Sequence, residues 1–365
     1  MTRRDFMEDA ASGAVAGIAF VACGMQGAVG GGVAQAQTRR REVVVSGKRV
    51  KTVDIHAHCA VPDAMALMGL KITGQSNSPP VLVMATHVAD RLHAMDEQGI
   101  DVEALSINPY WYKADRDVAT KLITIQNEKL AEACAANPDR FVAFASVALQ
   151  FPDLAAEQLE QGVKKYNLRG AGIGGSVNGE ELADPKYHPF WAKAEQLGVL
   201  IFIHPQGTAE MNATTRFKGN GLLDNVIGNP LETTIALSHL IFEGTLDKFP
   251  GLKICAAHAG GFLPSYAGRS DQGCLTFPER CTGQLKKKPT EYLKQLYYDN
   301  IIFTPEGMRH LIAETGVGQV VMGTDFPYPW TKTSVDLVLS TPGLSDEDRV
   351  AILGGTAAKL LGIKG

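Results

Sequence analysis

From Val50 to the C-terminus, short apolar runs alternate with longer amphipathic segments, eight times over. The runs are Thr52–Ile55, Val102–Ile107, Phe141–Val147, Gly170–Ile173, Val199–Ile203, Leu252–Ala257, Leu296–Phe303 and Gln319–Met322. Runs this short and this apolar suit strands buried on both faces. Between them, Leu122–Ala136, Leu154–Tyr166, Pro189–Leu197 and Leu231–Phe242 repeat apolar residues at helical spacing. A last amphipathic helix is expected over Asp346–Leu361, with Ser345 as its N-cap and Glu347 and Asp348 in its first turn. Strand and helix in strict alternation predict an α/β fold, a parallel (β/α)8 TIM barrel rather than an open sheet. A chain of 365 residues, 45% of them hydrophobic, can fill one such barrel as a single domain. No internal repeat or linker divides it. The stretch Val61–Met84 carries Pro79-Pro80 and little periodicity, and reads as an insertion after the first strand that overhangs the barrel mouth.

The front of the chain stands apart. Thr2-Arg3-Arg4-Asp5-Phe6-Met7 has the twin-arginine pattern, a weakly apolar Gly/Ala-rich stretch runs from Ala10 to Val33, and Ala34-Gln35-Ala36 suits signal peptidase. Cleavage is expected after Ala36, so residues 1–36 are read as a signal peptide and 37–365 as the barrel domain. The glycines make that stretch a poor membrane anchor, and no stable span is expected after cleavage. Phe20-Val21-Ala22-Cys23 resembles a lipoprotein box only faintly. Twin-arginine export carries proteins already folded. The expected destination is the periplasm. A formal net charge of −4 leaves no basic excess to neutralise phosphates, which excludes nucleic acid as a partner. The basic trios Arg39–Arg41 and Lys286–Lys288 are short enough to be solvated loops or processing sites. Six cysteines without a CxxC pair indicate neither a zinc ribbon nor a dense disulfide framework, and pairing of Cys274 with Cys281 stays open.

Active sites of such barrels sit at the C-terminal ends of the strands. His56 and His58 lie one residue apart where the first run ends, and alternate side chains of an extended backbone share a face. His204 closes the fifth run, His258 follows the sixth, and Asp325 follows the eighth. One histidine at a strand end is more often a hydrogen-bonded rim residue than a ligand. Four histidines and an aspartate at the ends of four strands are hard to ascribe to chance. Imidazole and carboxylate are what a borderline divalent ion such as Zn2+ takes, and an open position makes such a site catalytic. His87, His93, His239 and His310 fall in helical pattern and His188 in a loop; all five are assigned to structure or surface.

These motifs have company. His204-Pro205, Ala257-His258-Ala259-Gly260-Gly261 and Gly323-Thr324-Asp325-Phe326-Pro327 occur with the framework stretches RLHAMDEQGIDVEAL from Arg91, PLETTI from Pro230 and KFPGLKIC from Lys248. Together they resemble the aminocarboxymuconate-semialdehyde decarboxylase branch of the amidohydrolase superfamily, over essentially all of the chain from Val50. The resemblance implies the metal-dependent hydrolase fold and one divalent ion, Zn2+ first and Mn2+ second. It implies His56, His58, His204 and Asp325 as ligands, with His258 and Asp325 catalytic and His258 the acid/base that handles the water on the metal. Arg269, in Tyr266-Ala267-Gly268-Arg269, matches an arginine that reaches a substrate carboxylate across a dimer interface, which implies a homodimer. A surface ion pair is its alternative role. Two features depart from that branch: Val61–Met84 holds no arginine, and Gln206 stands where a tryptophan follows the His-Pro pair. The function implied is a carboxy-lyase acting on a small unsaturated or aromatic carboxylic acid. The alternatives are a hydrolase of a C–C, ester, lactone or amide bond in the same site, and a periplasmic carboxylate-binding protein that turns nothing over.

Overall fold

The computed structural model describes residues 40–75, 77–207, 215–281 and 285–364. The export segment and its cleavage position lie outside these residues. All eight expected strands form: β1 Val53–His58, β2 Val102–Ser106, β3 Phe141–Ala143, β4 Gly170–Gly174, β5 Leu200–His204, β6 Lys253–Ala256, β7 Leu296–Asp299 and β8 Val320–Val321. They pair in parallel as two arcs, β1-β2-β3 and β4-β5-β6-β7-β8.

Both seams between the arcs are bridged. Ala145, just past β3, pairs with Ala171 of β4, and Ala57 of β1 pairs with Phe326, just past β8. Ala145 N–H donates to Gly170 O at 2.8 Å and Ile55 N–H to Met322 O at 2.9 Å, so the ladder runs around a closed barrel. The interior is packed. Phe144 and Phe202 stack at 5.7 Å, and the His56 ring lies 4.9 Å from that of Phe202. β1, β3 and β5 are not neighbours, so these contacts cross the barrel. Val53, Ile55, Ala104, Leu200, Cys255 and Val321 belong to the same buried cluster.

Around the barrel run α1 Met84–Gln98, α2 Arg116–Ala136, α3 Pro152–Lys164, α4 His188–Leu197, α5 Asn229–Phe242, α6 Ala267–Thr276 and α7 Pro305–Thr315. Their ends have local causes. The Asp115 side chain accepts from Val118 N–H to open α2, and Thr304 accepts from Gly307 N–H to open α7 with Pro305 in its first turn. Such a cap is worth about 1 kcal/mol. His188, expected in a loop, is the first residue of α4.

The C-terminal helix departs from expectation in one place. Ser345 does cap it, but the segment Asp346–Val350 passes through a π-turn, Ala351–Gly355, before resuming as Thr356–Leu361. Gly354 explains the need for room. A Cβ there would stand 2.2 Å from the carbonyl oxygen of Lys51, so the helix touches the strand entry with bare backbone. The basic trio also reads differently in the fold. Arg40 pairs with Asp101 and Arg41 with Asp336, which ties both into the barrel rather than leaving them as a free processing site. Arg39 lies outside the described residues. Cys274 and Cys281, left open above, are joined as a disulfide with Cα atoms 5.5 Å apart.

Candidate metal centre

The five residues singled out in the sequence converge at the C-terminal mouth. His56 and His58 close β1, His204 closes β5, and His258 and Asp325 lie on the turns leaving β6 and β8. The register of β1 against β2 shifts between Asp54 and Ala57, an irregularity of the kind that re-aims side chains. One donor atom from each of His56, His58, His204 and Asp325 lies within 4.8 Å of the others, and all four residues are buried. His56 Nε2 is 3.0 Å from His58 Nε2, and Asp325 Oδ1 is 3.2 Å from the former and 2.8 Å from the latter. The His204 ring centroid is 5.0 Å from that of His56 and 4.7 Å from that of His58. His258 stands beside this group, its centroid 5.3 Å from that of His56 and its Nε2 3.8 Å from Asp325 Oδ2.

The donor set fits a divalent cation on electrostatic grounds. Burial pushes the His58 imidazole down to about 4, and burial followed by the neighbouring imidazoles holds His204 well below its ordinary value. Both rings are therefore neutral, the form in which imidazole ligates. Burial also opposes charge on His56, but the carboxylates of Asp325 and Asp299 outweigh it and raise that imidazole to about 10. Burial works against the Asp325 carboxylate too, yet His56 and the other imidazoles keep it well below the usual range. The cluster thus calls for positive charge at its centre. Buried Nδ1 atoms of His58 and His204 have no hydrogen-bond partner in the fold. On His58 that nitrogen is turned away from the cluster, because its Nε2 is the atom that faces His56 and Asp325.

Three carboxylates that support this centre were not picked out from the sequence. Asp299, at the end of β7, receives a hydrogen bond from His56 Nδ1 at 2.6 Å. Asp54 of β1 accepts from His56 N–H at 2.9 Å and from Thr324 N–H at 3.0 Å, pinning the β8 turn against β1. Burial, with Glu103 adding, lifts the Asp54 carboxyl to about 7. Glu232 of α5 accepts from the backbone N–H groups of Gln206 at 2.9 Å and Gly207 at 2.7 Å, fixing the loop after His204. Its only sequence signal was membership in PLETTI. Arg91, from another framework stretch, pairs with Glu103, donates to the carbonyl of His58 at 2.8 Å and lies over the Phe326 ring. A buried guanidinium therefore braces the two strand ends that carry three of the four clustered residues.

Arg269 is not brought to the centre. It is exposed on α6, lining a surface groove of about 440 Å3 with Thr234, Ser238, Phe262 and Tyr266. Gln206, in the place of the family's tryptophan, packs where a Cβ on Gly174 would sit 2.7 Å from its amide carbon. The five histidines assigned to structure or surface keep that role. His87 meets Asp90 and His239 meets Glu243 along their own helices, His188 packs on Phe249, and His93 and His310 lie on α1 and α7.

Comparison with known proteins points to one group. The amidohydrolase family profile matches residues 53–363, a span that holds all five site residues. The 2-amino-3-carboxymuconate-6-semialdehyde decarboxylase of Dictyostelium discoideum is 30% identical over 278 residues, covering 75% of this chain and 76% of that one. A gamma-resorcylate decarboxylase of Rhizobium sp. is 30% identical over 287 residues, covering 75% of this chain and 87% of that one. The crystal structure of a dihydroxybenzoic acid decarboxylase from Polaromonas sp., with bound manganese and the inhibitor 2-nitroresorcinol, superposes with a TM-score of 0.76. It is 27% identical, with 86% of this chain and 97% of that one covered.

Proposed function

This chain belongs to the amidohydrolase family, and from that premise we propose that it is a metal-dependent carboxy-lyase releasing CO2 from a small aromatic or unsaturated carboxylic acid. The observation that carries the reading is the buried three-histidine, one-aspartate cluster with a fourth histidine beside it, in a chain similar over three quarters of its length to decarboxylases. His56, His58, His204 and Asp325 would hold one divalent ion, which supplies Lewis acidity toward substrate oxygens when bound. Decarboxylation asks the protein for one proton. The carbon that bears the carboxylate takes it, the C–C bond breaks, its electron pair stays on that carbon, and CO2 leaves. We assign that proton to His258. Its side chain is 16% exposed, against 2% or less for His56 and His58, so it faces the open mouth while Asp325 backs it. Hydrolysis would draw on the same residues, but the reported relatives are decarboxylases and do not favour it.

The test is turnover in 18O-labelled water with a panel of hydroxybenzoic acids and an aminocarboxymuconate semialdehyde. CO2 with no label in the organic product is expected. Label in a new carboxylate, with no CO2, would make the enzyme a hydrolase. For the ion we favour zinc, because three imidazoles and one carboxylate suit a borderline cation. Manganese, as in the Polaromonas structure, is the competing outcome of elemental analysis.

Export to the periplasm is part of the proposal. It rests on the twin-arginine segment, and the Cys274–Cys281 bond supports it, since disulfides persist in oxidising compartments. Among the described residues no helix is long and apolar enough to cross a membrane. Replacing Arg3-Arg4 by Lys-Lys is expected to strand folded precursor in the cytoplasm. Mature protein appearing normally in the periplasmic fraction would remove the twin-arginine reading.

A homodimer in which Arg269 serves the partner's pocket completes the proposal. Tyr266 just before α6, Leu275 on it and Phe277 just after it are 68%, 71% and 57% exposed, and large side chains exposed around Arg269 support an interface there. Mixing Arg269→Ala with His258→Ala subunits is then expected to regenerate some active sites, although each variant alone is nearly inactive. No recovery in confirmed hybrid dimers would return Arg269 to its own subunit's surface.

A further inference from the structure

We propose that Asp299 is a positioning residue that locks the metal ligand His56 and the acid/base His258 to one another through a single buried carboxylate. Its two oxygens meet four donors. Oδ2 accepts from His56 Nδ1 at 2.6 Å and from His258 N–H at 3.0 Å, while Oδ1 accepts from Ala259 N–H at 2.9 Å and from Ile301 N–H at 3.1 Å. Asp299 is wholly buried.

Each contact has a consequence. Accepting from Nδ1 puts the His56 proton on that atom and leaves the Nε2 lone pair turned toward His58 and Asp325, the tautomer a metal ligand requires. The other side of the carboxylate holds a strained turn. His258 and Ala259 have φ of 54° and 55°, a left-handed conformation that residues with a Cβ seldom adopt. Gly260 and Gly261 continue it at 75° and 66°. A Cβ on Gly260 would strike the Tyr298 ring at 2.7 Å, so two successive β7 residues shape this turn, one by packing and one by charge. The N–H groups of the two strained residues both point at Asp299. Without that carboxylate the turn loses what holds His258 at the mouth, and His56 loses the acceptor that fixes its ring.

An amide cannot replace it. Asparagine offers one acceptor oxygen and one NH2, which must face either His56 or the backbone donors, and both are donors already. The inference rests on the ligand and acid/base roles proposed above, but metal affinity and tautomer are read without substrate, so a wrong reaction class would leave them untouched. In Asp299→Asn, chelator competition is expected to show metal bound about 10- to 100-fold more weakly. At saturating metal kcat should still fall with KM little changed, and that residual loss should vanish when the same change is made in a His258→Ala background. Unchanged affinity would overturn the inference, and so would a kcat loss that persists in full without His258. Should the variant fail to fold, 15N NMR of the metal-loaded wild-type rings decides alone: a proton on His56 Nδ1 is expected, and one on Nε2 would overturn it.

Discussion

His258→Ala is expected to purify with its metal and to turn over about 100- to 10,000-fold more slowly than the parent, the range that proton transfer by a positioned side chain commonly contributes. The geometry separates this residue from the proposed ligands. Its Nε2 approaches Asp325 only to 3.8 Å, whereas the donors of His56, His58, His204 and Asp325 close on one point. Removing a partly exposed ring leaves little cavity, and the backbone N–H groups of residues 258 and 259 keep their acceptor in Asp299. The fold should therefore survive. Metal content by elemental analysis and kcat on an accepted aromatic acid are read on the same preparation. Turnover close to that of the parent would reduce His258 to a structural neighbour. Loss of metal together with turnover would make it a fifth ligand.

How much of this was legible in the sequence depends on the range of the interactions. Eight apolar runs and their helical partners were visible because periodicity is local, and the residues of the cluster were visible because each ends or closely follows such a run. The hydrogen-bonded strands are shorter than some of the runs; Leu296–Phe303 contains only Leu296–Asp299 as β7. Beyond that point the chain turns, and Ile301 offers its N–H to Asp299 rather than to a neighbouring strand. Asp299 and Asp54 escaped notice for a different reason. The contacts that tie them to the site span 243 residues, from Asp299 to the His56 ring, and 270 residues, from Asp54 to Thr324, so no local spacing marks that role. A carboxylate inside an apolar run was the available signal, since a charge carried into a barrel wall must be paired there. Glu232 carried less, because one acid in an amphipathic helix is ordinary. The π-turn at Ala351–Gly355 holds Gly354 close against the Lys51 backbone, a contact again invisible to helical spacing. Arg269 marks another boundary: the role proposed for it in a partner's pocket would leave no trace within one chain's own contacts.

His58→Ala carries the largest expected effect on the metal itself. His58 Nε2 is 2.8 Å from Asp325 Oδ1 and 3.0 Å from His56 Nε2, which places it among the closest-set donors of the cluster. Alanine brings no replacement donor. Metal content and activity should therefore fall together in this variant. Stability offers a second reading. An ion that binds only the folded state adds about 2.7 kcal/mol when its free concentration is a hundred times Kd. Chelation should thus lower the unfolding midpoint of the parent and barely move that of His58→Ala. The same comparison in His56→Ala tests the other half of the pair. That variant also strips Asp299 of a donor, leaving a buried carboxylate with its three backbone partners alone. It should be the less stable of the two without metal. Full metal occupancy in both variants would overturn the ligand assignment, and with it the proposal that the mouth of this barrel is a metal centre.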